Sequence, residues 1–184
     1  AARRHRRAQH VHFGVAFANT GPLAEGATAA ACARAMEAAG FESLWTVEHV
    51  LVPVGYESTY PYARSGKMPG GETWAIPDPL IWLSYVAAAT ERIKLGTGIM
   101  QLAARTPANA AMSAATVDAM AGGGRFIAGL GVSGPQIVEG WYGQPWGKPY
   151  WRVRDYVTIM RKIFRREGPV SHDGKEIALP YTGP

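Results

Sequence analysis

Residues 40–49, GFESLWTVEH, decide how the rest of the chain is read. Gly40 has the character of a helix stop, Ser43 to Val47 that of a short buried strand, and Glu48 and His49 follow the last apolar residue at once. In proteins built on parallel strands, ligands and chemistry gather at the carboxyl ends of the strands. A Glu-His pair there is a candidate for chemistry, set against the plainer reading of a surface or hydrogen-bonded histidine.

Outward from that stretch the same unit recurs. Phe13 to Ala18 is a short apolar run closed by Asn19, Thr20, Gly21 and Pro22, and an Ala-rich segment, 24–39, leads to Gly40. Asp78-Pro79 and Thr106-Pro107 each read as an N-cap followed by proline at the first helical position. Ile93 to Ile99 and Phe126 to Leu130 read as the third and fourth strands. The paired glycines of the third mark a bulge or the close approach of a ligand. A helix from Pro149 has an apolar face and a basic last turn. Gly168-Pro169 stops it, and His172-Asp173-Gly174 forms a turn. Four βα units imply an α/β fold with a parallel sheet, either doubly wound or of the TIM-barrel type. A whole (β/α)8 barrel takes roughly 250 residues, so 184 residues supply about half of one.

The totals narrow the classes. Apolar residues make up 47% and charged residues 18%, the balance of a globular chain. Four of the net +5 charges come from Arg3, Arg4, Arg6 and Arg7. Residues 1–10 are expected to be a disordered basic tail, with 11–184 as the folded unit. The tail has neither aromatic interleaving nor an apolar segment behind it, so nucleic-acid and membrane partners are not expected. The lone Cys32 excludes an internal disulfide framework and favours a cytoplasmic setting. No run of about 18 apolar residues predicts a membrane span, and no metal centre is expected.

Polar or glycine residues stand at all four strand exits: Asn19-Thr20, Glu48-His49, Gly98 to Gln101, and Ser133 to Gln136. Parallel strands put these exits on one face. Gly129, Gly131 and Gly134 spell G-x-G-x-x-G, but Pro135 and a Gly/Pro-rich stretch follow where a helix should open. The acid about 20 residues on, Asp155, falls within a helix, so a nicotinamide site is disfavoured. The long segment 50–77, with Tyr56, Tyr60, Tyr62 and Trp74, has the make-up of a lid over a pocket.

FGVAFANTGP, GFESLWTVEHV, ERIKLGTGIMQLAARTP, GGGRFIAGLGVSGPQIVEGWYG and KPYWRVRDYVTIMRKIFRREGPVSHDG together resemble the bacterial-luciferase-like superfamily, in its branch using the deazaflavin coenzyme F-420. The resemblance implies a (β/α)8 TIM barrel of which this chain holds about the first four βα units. It implies hydride transfer between an organic substrate and the deazaflavin, with FMN-dependent monooxygenase chemistry as the alternative. A third reading, of another class, is a non-catalytic half-barrel that acts only by self-association. Carried over residue by residue, His49 would move a proton with Glu48 beside it and raising its pKa. Asn19, Gly98, Ile99, Gln101, Ser133, Gly134 and Pro135 would line the cofactor, and a cis peptide would fall at Gly98–Ile99. Some relatives place an acid in the loop after strand four; here Gly134 and Pro135 stand there, and Glu139 lies nearby. The expected partners are a small-molecule substrate and further copies of the chain.

Overall fold

The computed structural model describes residues 11–55, 57, 59–60, 63–68 and 70–182; the basic tail lies outside them. Strand β1 (Gly14–Val15) is followed by a 3-10 turn, Gly21–Ala24, and helix α1 (Gly26–Ala38). Gly40, at φ 86, ends α1 as expected: its N–H donates to the Glu37 carbonyl and that of Phe41 to the Met36 carbonyl. That pair of bonds is a Schellman stop, which needs a residue tolerant of positive φ. Strand β2 (Ser43–Thr46) leads through the long segment to α2 (Pro79–Ala87), where one Asp78 oxygen accepts from the N–H groups of Leu80 at 2.8 Å and Ile81 at 3.0 Å.

The third strand is broken in two, β3 (Lys94–Thr97) and β4 (Met100–Gln101), and α3 (Pro107–Met120) follows. The fourth is broken likewise into β5 (Phe126–Ile127) and β6 (Leu130–Gly131). A short α4 (Pro135–Val138) precedes α5 (Pro149–Arg165). His172-Asp173 is strand β7, not a turn; it pairs antiparallel with β8 (Ala178–Leu179). The connecting loop of that hairpin is drawn onto α5 by Asp155, which accepts from the N–H groups of Glu176 at 2.7 Å and Ile177 at 3.1 Å.

All pairings in the main sheet are parallel, in the order β1-β2-β3-β5, and β4 continues the ladder against β6. Space order therefore equals chain order. A doubly wound sheet reverses its order at a switch point, whereas a barrel never does. The sheet is thus an arc of the barrel type, four strands long and open.

One face of the arc carries Leu44 and Leu95 into a core shared with Leu83 and Val86 of α2, Ala111 and Val117 of α3, and Tyr156 of α5. On the other face Trp45 lies across Gly14 and Gly96, where a Cβ on either glycine would strike the indole. At the strand entrances, Asp118 accepts from the N–H groups of Gly124, Arg125 and Phe126, at 3.0, 3.0 and 2.9 Å. Arg125 is buried and donates to the carbonyls of Ile93, Thr90 and Ala121. These contacts hold the end of the arc opposite the exits.

The breaks at 98–99 and 128–129 lie side by side and are bridged by one hydroxyl. Thr97 Oγ1 donates to the Gly129 carbonyl and accepts the Gly129 N–H, both at 2.9 Å, and the Met100 N–H donates to the same carbonyl at 2.8 Å. A Cβ on Gly129 would collide with the Thr97 carbonyl oxygen. Because Thr97 is fully buried, Thr97→Val would leave the Gly129 N–H without a partner and the Gly129 carbonyl with the Met100 N–H alone. Urea unfolding should show a loss of about 2 kcal/mol; a loss below roughly 0.5 kcal/mol would mean that the bridge does not hold the break.

Candidate active site at the strand exits

The exits converge on one end of the arc, and their polar side chains divide into two sets. The first set is spent on the protein. Asn19, fully buried, brackets the end of β2: its amide donates to the Val47 carbonyl at 2.8 Å and accepts the Val47 N–H at 2.9 Å. It also donates to the Pro77 carbonyl at 3.2 Å, tying down the end of the long segment.

Glu48, 6% exposed, does the same between β2 and β4. Its Oε2 accepts the Gln101 N–H at 2.6 Å, and its carbonyl accepts the Gln101 side-chain amide at 2.8 Å. Its Oε1 accepts from Arg105 Nη1 at 2.5 Å, while the other guanidinium nitrogen pairs with Asp78. Arg105 also offers its carbonyl to the Tyr156 hydroxyl at 2.9 Å, and Tyr142 donates to the Gln101 amide oxygen at 3.3 Å. Arg105 was not among the expected site residues. Its sequence signal is a cation placed between an apolar strand exit and the Thr106-Pro107 cap.

The second set is open. His49 is half-buried and has no hydrogen-bond partner among the described residues. Burial is the larger influence on its imidazole and holds its pKa below the ordinary 6.5, although Glu48 pushes the other way. The upward push expected from Glu48 is present, but the desolvation of a half-buried ring outweighs a carboxylate that is already paired with Arg105, and the net shift is downward.

Gly98 and Ile99 are exposed, and a Cβ on Gly98 would come within 2.8 Å of the Thr46 carbonyl oxygen. Their peptide bond is trans, correcting the expected cis bond; among the described residues the cis peptide is Leu179–Pro180. The Thr97 bridge and the Cβ-free Gly98 and Gly129 accommodate the break without it. Across the arc, Ser133 sits at φ 63, a conformation a non-glycine residue rarely keeps unless its surroundings impose it. Gly134 is half-buried beside it and Pro135 is exposed.

Other sequence candidates are engaged elsewhere. Asp155 accepts from the hairpin and lies 3.1 Å from His172 Nε2, so its carboxylate is committed far from a ribose role. Glu139 accepts the Trp146 N–H at 3.1 Å. Of the aromatics of the expected lid, Trp74 is 44% exposed and Tyr60 half-buried; Tyr56 and Tyr62 lie outside the described residues. Among the described residues no group of three or more His, Cys, Asp or Glu is arranged to hold a metal ion, and no helix is long and apolar enough to cross a membrane.

Comparison with known proteins agrees with this architecture. A Mycobacterium tuberculosis protein provisionally named a coenzyme F-420-dependent oxidoreductase is 49% identical over 112 residues, which is 61% of this chain and 32% of that protein. The oxygenating constituent of 3,6-diketocamphane monooxygenase from Pseudomonas putida, solved with FMN, superposes with a TM-score of 0.68 at 20% identity, covering 95% of this chain and 44% of its own. The coenzyme F-420-dependent tetrahydromethanopterin reductase of Methanopyrus kandleri gives 0.67 at 23% identity, covering 95% and 45%. The two superpositions establish the barrel-type fold. This chain spans less than half the length of each of the three. The family model for luciferase-like monooxygenases matches residues 10–183, and the chain belongs to that family.

Proposed function

We propose that this chain forms the N-terminal half of a deazaflavin-dependent oxidoreductase, which transfers a hydride between an organic substrate and coenzyme F-420. The observation that carries the reading is the exposed backbone at Gly98–Ile99, at the strand exit next to that of His49, which has no hydrogen-bond partner among the described residues. A flat ring needs backbone that side chains do not cover; Gly98 is exposed, and the Thr46 carbonyl, 2.8 Å from where a Cβ would stand, keeps that position a glycine. The 49% likeness to a protein provisionally named F-420-dependent supports the deazaflavin, and FMN, present in a neighbour of the same fold, is the rival to test.

When bound, the coenzyme would accept or give up the hydride. Gly98 and Ile99 would support its ring on one side. Ser133, Gly134 and Pro135 would run along it, with Ser133 held in its positive-φ conformation for that contact. His49, neutral at neutral pH, would accept the substrate proton at an imidazole nitrogen as the hydride leaves, and return it in the reverse direction. Asn19, Glu48 and Gln101 would hold the exits in register for these residues.

Fluorescence titration of the chain with oxidised coenzyme F-420 should show saturable binding, tighter than that of FMN. His49→Ala and Gly98→Val should weaken it. The valine should do so by about tenfold or more, since overpacking at such a site costs on the order of 1–3 kcal/mol. Saturation by FMN alone would contradict the deazaflavin assignment.

The lowered pKa of His49 also has a signed consequence for stability. The folded state binds fewer protons than the unfolded state between the two pKa values, so stability falls as pH drops from about 6.5 through the folded value. The carboxylates of Asp118 and Asp155, whose pKa values are lowered, act only at more acid pH. Urea unfolding between about pH 7.5 and 5 should show this slope, and His49→Gln should flatten it. An equal slope in the variant would contradict the burial argument.

A further inference from the structure

Glu48 and His49 are adjacent in the chain, yet only one of them is free to exchange a proton. Both Glu48 carboxylate oxygens are occupied, one by Arg105 and one by the Gln101 N–H. Arg105 is only 11% exposed at its side chain and also holds Asp78, whose other oxygen caps α2. The three side chains make an ion triad, buried at Glu48 and open to solvent at Asp78, that joins the end of β2, the start of α2 and the turn after β4. A free carboxylate next to a half-buried imidazole would keep that imidazole charged and compete with it for protons. A carboxylate paired with a guanidinium has much of its field cancelled and its lone pairs taken.

We propose that Arg105 is a positioning residue of the site: it fixes Glu48 against β4 and answers its charge beside His49, so that Glu48 serves to orient the strand end. The importance of that charge balance rests on reading His49 as the proton-transfer residue. The coupling between Arg105 and His49 does not.

The other titratable groups packed on this network do not compete. Tyr142, after α4, and Tyr156, on α5, both have hydroxyl pKa values pushed up, by burial first and by Glu48 in addition, and stay protonated at neutral pH. Arg105 itself has its pKa raised by Glu48 and Asp78 against the effect of burial, so its cation persists throughout the working range.

The test is the pH titration of the His49 ring signals by NMR in the chain and its variants. In Arg105→Met, the released Glu48 charge should raise the His49 midpoint by about 0.5–1 pH unit. Adding Glu48→Gln to that variant should bring the midpoint back to the wild-type value or below it. Arg105→Lys should give a smaller rise, because one ammonium cannot hold two carboxylates in the fork geometry of a guanidinium; it stands in should Arg105→Met fail to fold. A folded Arg105→Met, or Arg105→Lys in its place, whose His49 midpoint equals that of the wild type would overturn the proposal. So would a rise that persists in the double variant. No coenzyme enters this readout, so its failure and that of the deazaflavin assignment are separable.

Discussion

A parallel strand that runs past its ladder leaves backbone N–H and C=O groups with no strand opposite them, and burial makes each one costly. This arc faces that constraint at the ends of β2 and β4 and at the paired strand breaks, and meets it there with side chains. Asn19 stands in for a strand beside Val47, Glu48 for one beside Gln101, and the Thr97 hydroxyl bridges the paired breaks at Gly129. The exits are therefore rigid without being closed. The hydrogen bonds that would otherwise require a continuous sheet are made by groups that leave the ledge at Gly98–Ile99 uncovered.

The same bookkeeping separates structure from chemistry. A polar residue at a strand exit looks functional whether it holds backbone or meets a ligand. Once the hydrogen bonds of Asn19, Glu48 and Gln101 are counted, little capacity remains in them. His49, Gly98, Ile99 and the 133–135 turn are what the fold leaves available. Among the described residues His49 has no hydrogen-bond partner, yet it sits where burial disfavours its cation, a combination suited to taking up a proton transiently. The fixed negative charge beside it is answered by Arg105, so the electrostatics of the mouth depend on a residue that meets His49 only through Glu48.

Much of the fold was legible because it is local. Gly40 as a helix stop, Asp78-Pro79 and Thr106-Pro107 as helix starts, and four βα repeats all follow from short-range backbone chemistry, and the structure has each of them. The long-range terms were not legible. Glu48 and Arg105 are 57 positions apart, so neither betrays the other in the sequence. The sign of the His49 shift required burial, which a dipeptide does not report. The glycines of the third strand pointed to a bulge or a close approach, but the matching break in the fourth was not legible, because the paired interruption depends on Thr97 reaching Gly129 across the sheet. His172-Asp173-Gly174 had the composition of a turn, but Asp155 draws the nearby N–H groups of Glu176 and Ile177 onto α5, and His172 and Asp173 pair as a strand.

If the free groups at the strand exits form a ligand face already built into this half-barrel, the coenzyme should perturb them and nothing at the entrances. The most direct measurement is an amide chemical-shift map of the isotopically labelled chain during titration with oxidised coenzyme F-420. The expected result is a set of saturating shifts at His49, Ile99, Ser133 and Gly134, with Arg125 and Asp118 at the strand entrances unmoved. Shifts confined to the entrances or to the basic surface of α5, or a folded chain with no shifts at all, would contradict it.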